Sequence, residues 1–111
     1  MSALIVCTTC ADGQGQALLE AIENEALARD QPVLVRGQAC MAACKQSCTA
    51  ALQGVGKHSY LFGQLAPDAT SVDALLDVAA QHAEPGDGLL AWARRPERLK
   101  SGLLARLPPL G

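Results

Sequence analysis

Five cysteines are the residues of this 111-residue chain whose type and spacing can do chemistry: Cys7-x2-Cys10-x29-Cys40-x3-Cys44-x3-Cys48. Thiolates are soft, anionic donors, and four of them gathered at one place select iron–sulfur clusters or zinc over magnesium or calcium. The odd number argues against a closed disulfide framework. The N-terminus Met1-Ser2-Ala3-Leu4-Ile5-Val6 has no basic stretch ahead of its apolar run, so no secretory signal is expected. A cytoplasmic location follows, where reduced cysteines serve as metal ligands or redox thiols.

The positions of these cysteines depend on the elements that flank them. Ala3–Val6 is an apolar run suited to a buried strand. Gln16–Arg29 has a helical period through Leu18, Ala21, Ile22 and Glu25, with Asp12 as its expected N-cap. Pro32-Val33-Leu34-Val35-Arg36 is a second strand. A strand, a helix and a strand within about 36 residues make a right-handed βαβ unit with parallel strands. Cys7 and Cys10 follow the first strand and Cys40, Cys44 and Cys48 follow the second, so all five leave the sheet at its carboxyl end. Thr49–Gln53 and His58–Phe62 flank Gly54-Val55-Gly56-Lys57 as a β-hairpin. Thr70-Ser71-Val72-Asp73 resembles a capping box, opening a helix that runs to about His82. The tail holds a short helix from Pro96 to about Ser101 and ends at Pro108-Pro109. The order β-α-β then β-β-α predicts one α/β domain over residues 1–111 with a thioredoxin-like fold. Its mixed four-stranded sheet has the order 4-3-1-2, helices pack on it, and a cysteine-bearing loop follows the second strand.

Other residues add less. His82, at a helix end, reads as a surface group favoured by the helix dipole. His58 starts a strand close to the cysteines and reads as a solvated strand-end side chain. Tyr60, Phe62 and Trp92 read as core or lid. Gly13-Gln14-Gly15 lacks the third glycine of a phosphate loop, and no motif places a Ser/His/Asp set or a carboxylate pair, so no enzyme is indicated. The formal net charge of −2 and the three aromatics argue against nucleic acid. The longest uncharged stretches, such as Gln46–Gly56, fall short of the roughly 18 residues of a membrane-spanning helix. Of about 55 hydrophobic residues 20 are Ala and five are Cys, leaving about 30 larger apolar side chains. Such a thin core would gain from a metal staple.

The spacing alone leaves several site chemistries open. Structural zinc accepts a C-x2-C pair and tolerates C-x3-C. A helical Cys40–Cys48 would set Cys40, Cys44 and Cys48 on one face at i, i+4 and i+8, so that these three with Cys7 or Cys10 could hold a [4Fe–4S] cluster. Cys7-Thr8-Thr9-Cys10 is placed where a thioredoxin-type dithiol would sit, but no proline lies between Val33 and Ala66 to supply the cis-Pro such enzymes need.

Gly37-Gln38-Ala39-Cys40-Met41-Ala42-Ala43-Cys44, with Gly56-Lys57-His58-Ser59-Tyr60 behind it, resembles the second half of the thioredoxin-like [2Fe–2S] ferredoxins. The whole chain, including Tyr60-Leu61-Phe62-Gly63 and Arg94-Arg95-Pro96-Glu97 through Arg106-Leu107-Pro108-Pro109, is similar to a bacterial family of small metal-binding proteins often encoded near cobalamin-synthesis genes. The resemblance implies one [2Fe–2S] cluster on Cys7, Cys10, Cys40 and Cys44, with Cys48 beside it or as a substitute ligand. In those ferredoxins a strand pair with a small turn and an aromatic covers the cluster. It implies a small electron carrier between a reductase and an acceptor enzyme, with redox proteins as partners and a homodimer allowed. An iron–sulfur sensing or delivery protein is the alternative of the same chemistry, and a zinc-binding interaction module the alternative of another.

Overall fold

The computed structural model describes residues 2–9, 13–39, 48–84, 86–90 and 92–108. The elements run β1 (Ala3–Cys7), α1 (Gln14–Ala28), β2 (Leu34–Gln38), β3 (Cys48–Gln53), β4 (Ser59–Leu65), α2 (Ala69–His82), a 3-10 turn (Trp92–Arg94), α3 (Glu97–Ser101) and β5 (Leu103–Leu107). They form a thioredoxin-like α/β fold around one open sheet of order β2-β1-β3-β4-β5. The expected order 4-3-1-2 is present, and β5 extends it by one strand beyond β4. β1 and β2 are parallel, with Ala3 opposite Leu34 and Cys7 opposite Gln38. The other pairings are antiparallel.

The unexpected β5 has a local cause. α3 ends at Ser101, and the Gly63 amide donates to the Gly102 carbonyl at 2.8 Å, which sets the following residues alongside β4. Leu103 is half-buried and Leu104–Leu107 are exposed, so this edge strand shows no buried alternation.

α2 begins earlier than the expected capping box. Asp68 is its N-cap, accepting from the Ser71 amide at 2.8 Å. The Ser71 hydroxyl is buried and accepts from the Ala66 amide. α1 is capped by the backbone of Gly13 with no side-chain bond, and Asp12 lies outside the described residues.

The paired residues Leu4, Leu52 and Tyr60, and Val6, Ala50 and Phe62, project onto one face of the sheet. They join Leu18, Leu19 and Ile22 of α1 and Val72, Leu75, Leu76 and Val78 of α2 in a single core, closed by Leu90 and Leu99. α1 and α2 meet side by side, where Gln31 Nε2 donates to the Leu76 carbonyl at 2.8 Å. Alanines at positions 26, 50, 74 and 79 belong to this core, where their small side chains take little room between helices and strands.

The strands carry Arg36 and Arg106 and no carboxylate; every acidic residue among the described ones lies on a helix or a connection. The charges of the fold are therefore segregated, with the acidic groups outside the strands.

Candidate metal centre

β1 ends at Cys7, and the next residues tie its exit to that of β2. The Thr8 amide donates to the Gln38 carbonyl at 2.9 Å, and the Thr9 hydroxyl donates to the Ala39 carbonyl. Thr9 and Ala39 each stand one residue before a cysteine, Cys10 and Cys40. The two cysteine-bearing segments thus leave the sheet from one corner, joined by hydrogen bonds between the last residues of each exit.

Cys7 is fully buried, and its Sγ lies 3.8 Å from Thr9 Oγ1, at the outer reach of a hydrogen bond to sulfur. The first turn of α1 presses on the same residue. A Cβ on Gly15 would lie 1.9 Å from the Cys7 carbonyl oxygen, so only glycine allows this approach.

Cys48 is also fully buried, but on different terms. Val6 and Ala50 are paired and face the core, so strand alternation turns Cys7 to the opposite face. Cys48 lies two residues before Ala50 and keeps the core face. The register shift between them adds its extra residue to β4, where Leu65 rather than Gln64 meets Cys48, and Gln64 has φ 56°. Cys48 accordingly belongs to the hydrophobic core cluster and Cys7 does not. Cys48 is the first residue of β3, and the rest of the Cys40–Cys48 stretch considered as a helix from spacing lies outside the described residues.

Cys10, Cys40 and Cys44 lie outside the described residues. Among the described residues, no three His, Cys, Asp or Glu side chains come together in a metal-binding group.

Two histidine expectations change. His58 is not near Cys7 or Cys48. The antiparallel register puts Gln53 opposite Ala3, so the β3–β4 turn lies at the other end of β1. That is about 13 Å from Cys7, at about 3.3 Å per strand residue. Tyr60 is core, its hydroxyl accepting from the Leu90 amide at 2.8 Å.

His82 is not a surface group: its relative exposure is 0%. Its Nδ1 lies 2.6 Å from Ser2 Oγ and its Nε2 2.7 Å from the His58 carbonyl. The Lys57 ammonium caps the end of α2 by donating to the carbonyls of His82 and Glu84. Gly88, at φ +76°, leaves room for the ring: a Cβ there would lie 2.9 Å from His82 Nε2. Nothing local in the sequence marks this arrangement, since it needs Ser2, Gly54 and Gly88 brought together from three distant segments.

Comparison with known proteins agrees with the fold. The structure of a thioredoxin-like [2Fe–2S] ferredoxin from Aquifex aeolicus superposes with a TM-score of 0.66 at 16% identity, covering 100% of this chain and 96% of that one. The wild-type ferredoxin of the same name and organism gives a TM-score of 0.62 at 14% identity, covering 95% of this chain and 97% of that one. A cysteine-to-serine variant of it gives 0.63 at 15%, with 95% and 99% covered. At these identities the likeness establishes the fold. No curated protein matches the sequence. A family model described as "Protein of unknown function (DUF1636)" matches residues 4–109.

Proposed function

We propose that this chain, which belongs to the DUF1636 family, is a small electron-transfer protein that holds one [2Fe–2S] cluster. The observation that carries the reading is the corner where β1 and β2 end. Thr8 and Thr9 bind the main chain of Gln38 and Ala39 there, in the two residues before Cys10 and Cys40. Consecutive Cα atoms are about 3.8 Å apart, so this junction keeps the two cysteine segments within reach of each other. The ferredoxins that share the fold add support through their own stated cofactor.

The donor set fits an iron–sulfur cluster: thiols are the ligands such clusters take, and Met41, Ala42 and Ala43 between Cys40 and Cys44 bring no competing charge. We assign Cys7, Cys10, Cys40 and Cys44 as ligands and leave Cys48 out, because it faces the core. When bound, the cluster supplies a one-electron store whose potential the protein sets. Cys7 is fixed at the end of a strand and shielded from water, which lowers the local dielectric. The Thr9 hydroxyl stands next to the Cys7 sulfur and orients the exit of β1. α1 directs its N-terminal end at the same corner, and its first turn carries no acidic side chain to oppose negative charge there. The chain binds the cluster and governs its surroundings, and the electron comes from a reductase protein and passes to an acceptor enzyme. The gene neighbourhood implied by the family resemblance extends this to an acceptor in corrinoid metabolism, and a cytoplasmic location belongs to the same reading. No helix among the described residues is long and apolar enough to cross a membrane.

Anaerobic purification, a visible spectrum and assays of iron, acid-labile sulfide and zinc on one sample test the proposal. A brown protein with iron and sulfide in equal amounts, two of each per chain, is expected. A colourless protein with one zinc would make the chain a structural or interaction module instead.

A further inference from the structure

We propose that β2 is a docking edge for an extended segment of a partner protein, one whose groove-facing side chains, every second residue, are apolar and basic in turn. β2 lies at the rim of the sheet and, among the described residues, pairs with β1 alone. The Leu34 amide donates to the Ser2 carbonyl and the Gln38 carbonyl accepts from Thr8, so residues 34, 36 and 38 direct their main chain toward β1. Val35 and Gly37, between them, direct their amides and carbonyls outward. An added strand has that main chain to pair with.

The side chains flanking this edge state what such a strand should carry. On the helix side, α1 and β2 enclose a groove of about 240 Å³ lined by Ala26, Leu27, Val33 and Val35, with Glu23 and Asp30 among its walls. Leu27 is 81% exposed there. An exposed leucine is ordinary when it stands alone. Beside an open strand edge and two valines, it extends an apolar surface that one face of an added strand would cover. Neither Glu23 nor Asp30 takes part in an ion pair among the described residues, whereas Arg29 between them is engaged by Glu25 and Asp73. Two unneutralised carboxylates above an apolar floor select basic and apolar groups together.

The opposite edge is less suited, since β5 runs into Pro108, which has no amide to offer an added strand. A second copy is disfavoured at β2. Two-fold pairing of β2 with itself would bring two α1 helices together on one face, setting four carboxylates at the junction while strand alternation turns Arg36 to the other face. β2 also runs directly into Ala39 and Cys40, so a partner strand seated on it lies beside the proposed cluster. The proposal rests on the electron-carrier reading in giving this partner its redox role.

The test uses the protein as purified and a fluorescently labelled, end-blocked Lys-Thr-Val-Thr-Lys-Thr-Val-Thr peptide, whose lysines and valines share one face of a strand. Binding is read by anisotropy and by hydrogen-exchange mass spectrometry. The expected result is protection of residues 33–38, binding at least about tenfold weaker in the Glu23→Gln/Asp30→Asn double variant, and no binding of the analogue with glutamates in place of the lysines. Asparagine is chosen at position 30 because Asp30 has φ 53°, which asparagine tolerates. Absence of protection at 33–38, or affinity indifferent to the double variant, overturns the proposal. A dimer in sedimentation equilibrium that buries 33–38 and excludes the peptide also overturns it, in favour of a second copy. Iron and sulfide assays on the same samples judge the electron-carrier reading separately. Metal-free protein that binds the peptide keeps the docking edge and loses the redox role, and iron-loaded protein that ignores the peptide does the reverse.

Discussion

The Nδ1 of His82, at the last turn of α2, lies 2.6 Å from Ser2 Oγ, eighty positions away at the start of β1. The His58 carbonyl can only accept, so His82 Nε2 carries the proton of the neutral ring and Nδ1 accepts from the serine hydroxyl. Three segments are pinned at one imidazole: the start of β1, the β3–β4 turn and the end of α2.

This pin makes stability depend on pH in one direction. Burial pushes His82 below its ordinary value of 6.5, and the nearby Lys57 charge acts the same way. An unfolded chain takes up the proton near that ordinary value and the folded chain only at lower pH. Between the two the unfolded state binds more protons, so the stabilisation is full above about pH 6.5 and declines as acid carries the pH down toward the folded value. Urea midpoints at pH 7.5 and 5.5 should differ more in the wild type than in His82→Gln; equal differences would show that His82 is not responsible.

Ser2→Ala removes the hydroxyl donor and leaves Nδ1 buried without that partner. A loss of about 1–3 kcal/mol is expected, as for other orphaned buried polar groups. Denaturant titration at pH 7.5 measures it, and a loss well under about 0.5 kcal/mol would mean that the bond contributes little.

The two described cysteines should separate by phenotype. Cys48→Ser sets a hydroxyl in an apolar core and should lower the melting temperature while iron and sulfide per chain stay at the wild-type level. Cys7→Ser should lose most of the iron. Iron loss in Cys48→Ser equal to that in Cys7→Ser would return Cys48 to the ligand set.

Gly15→Ala tests the contact between α1 and the end of β1. The added methyl would meet the Cys7 carbonyl oxygen at 1.9 Å, so helix or strand must move. Overpacking of this kind costs about 1–3 kcal/mol, well beyond the roughly 1 kcal/mol that alanine returns over glycine inside a helix. A net loss of stability together with reduced iron content is expected. A variant as stable as the wild type would show that the helix can withdraw freely.

Tyr60→Phe removes the hydroxyl that accepts from the Leu90 amide at 2.8 Å. The ring's stacking on Phe62, at a centroid separation of 5.9 Å, stays in place. The expected loss is about 1 kcal/mol, accompanied by faster amide exchange at residues 88–90; unchanged exchange there would show that the segment is held by other contacts.

Much of this architecture is legible in the residues. The apolar runs before Cys7 and Gly37, with an amphipathic segment between, specify a parallel βαβ unit and hence which end of the sheet the cysteines occupy. The hairpin strands and the second helix follow from pattern as well, although Asp68 rather than Thr70 begins that helix. β5 escaped because an edge strand with only Leu103 against the core leaves no alternation to read. His82 escaped because its burial depends on contacts across eighty residues, and a histidine at a helix end carries the same local signature when solvated.

At the candidate site, the spacing of the cysteines is what points to a soft-metal centre and to the segments that would supply it. It does not show the role of Cys48, which depends on the register of β3 against β1 rather than on distance along the chain. The part of Thr8 and Thr9 is likewise a property of parallel strand ends and is invisible until both exits are placed.

The core described above draws on β1, β3, β4, α1, α2 and α3, all of them elements other than the segments that carry Cys10, Cys40 and Cys44. On the proposed function, folding and metal acquisition would then be separable events in the life of this protein. The newly made polypeptide would fold around its own apolar interior first, and the cysteine corner would be completed last, on a scaffold already formed. A chain built this way would present the machinery that loads iron and sulfide with a folded client rather than with a nascent strand.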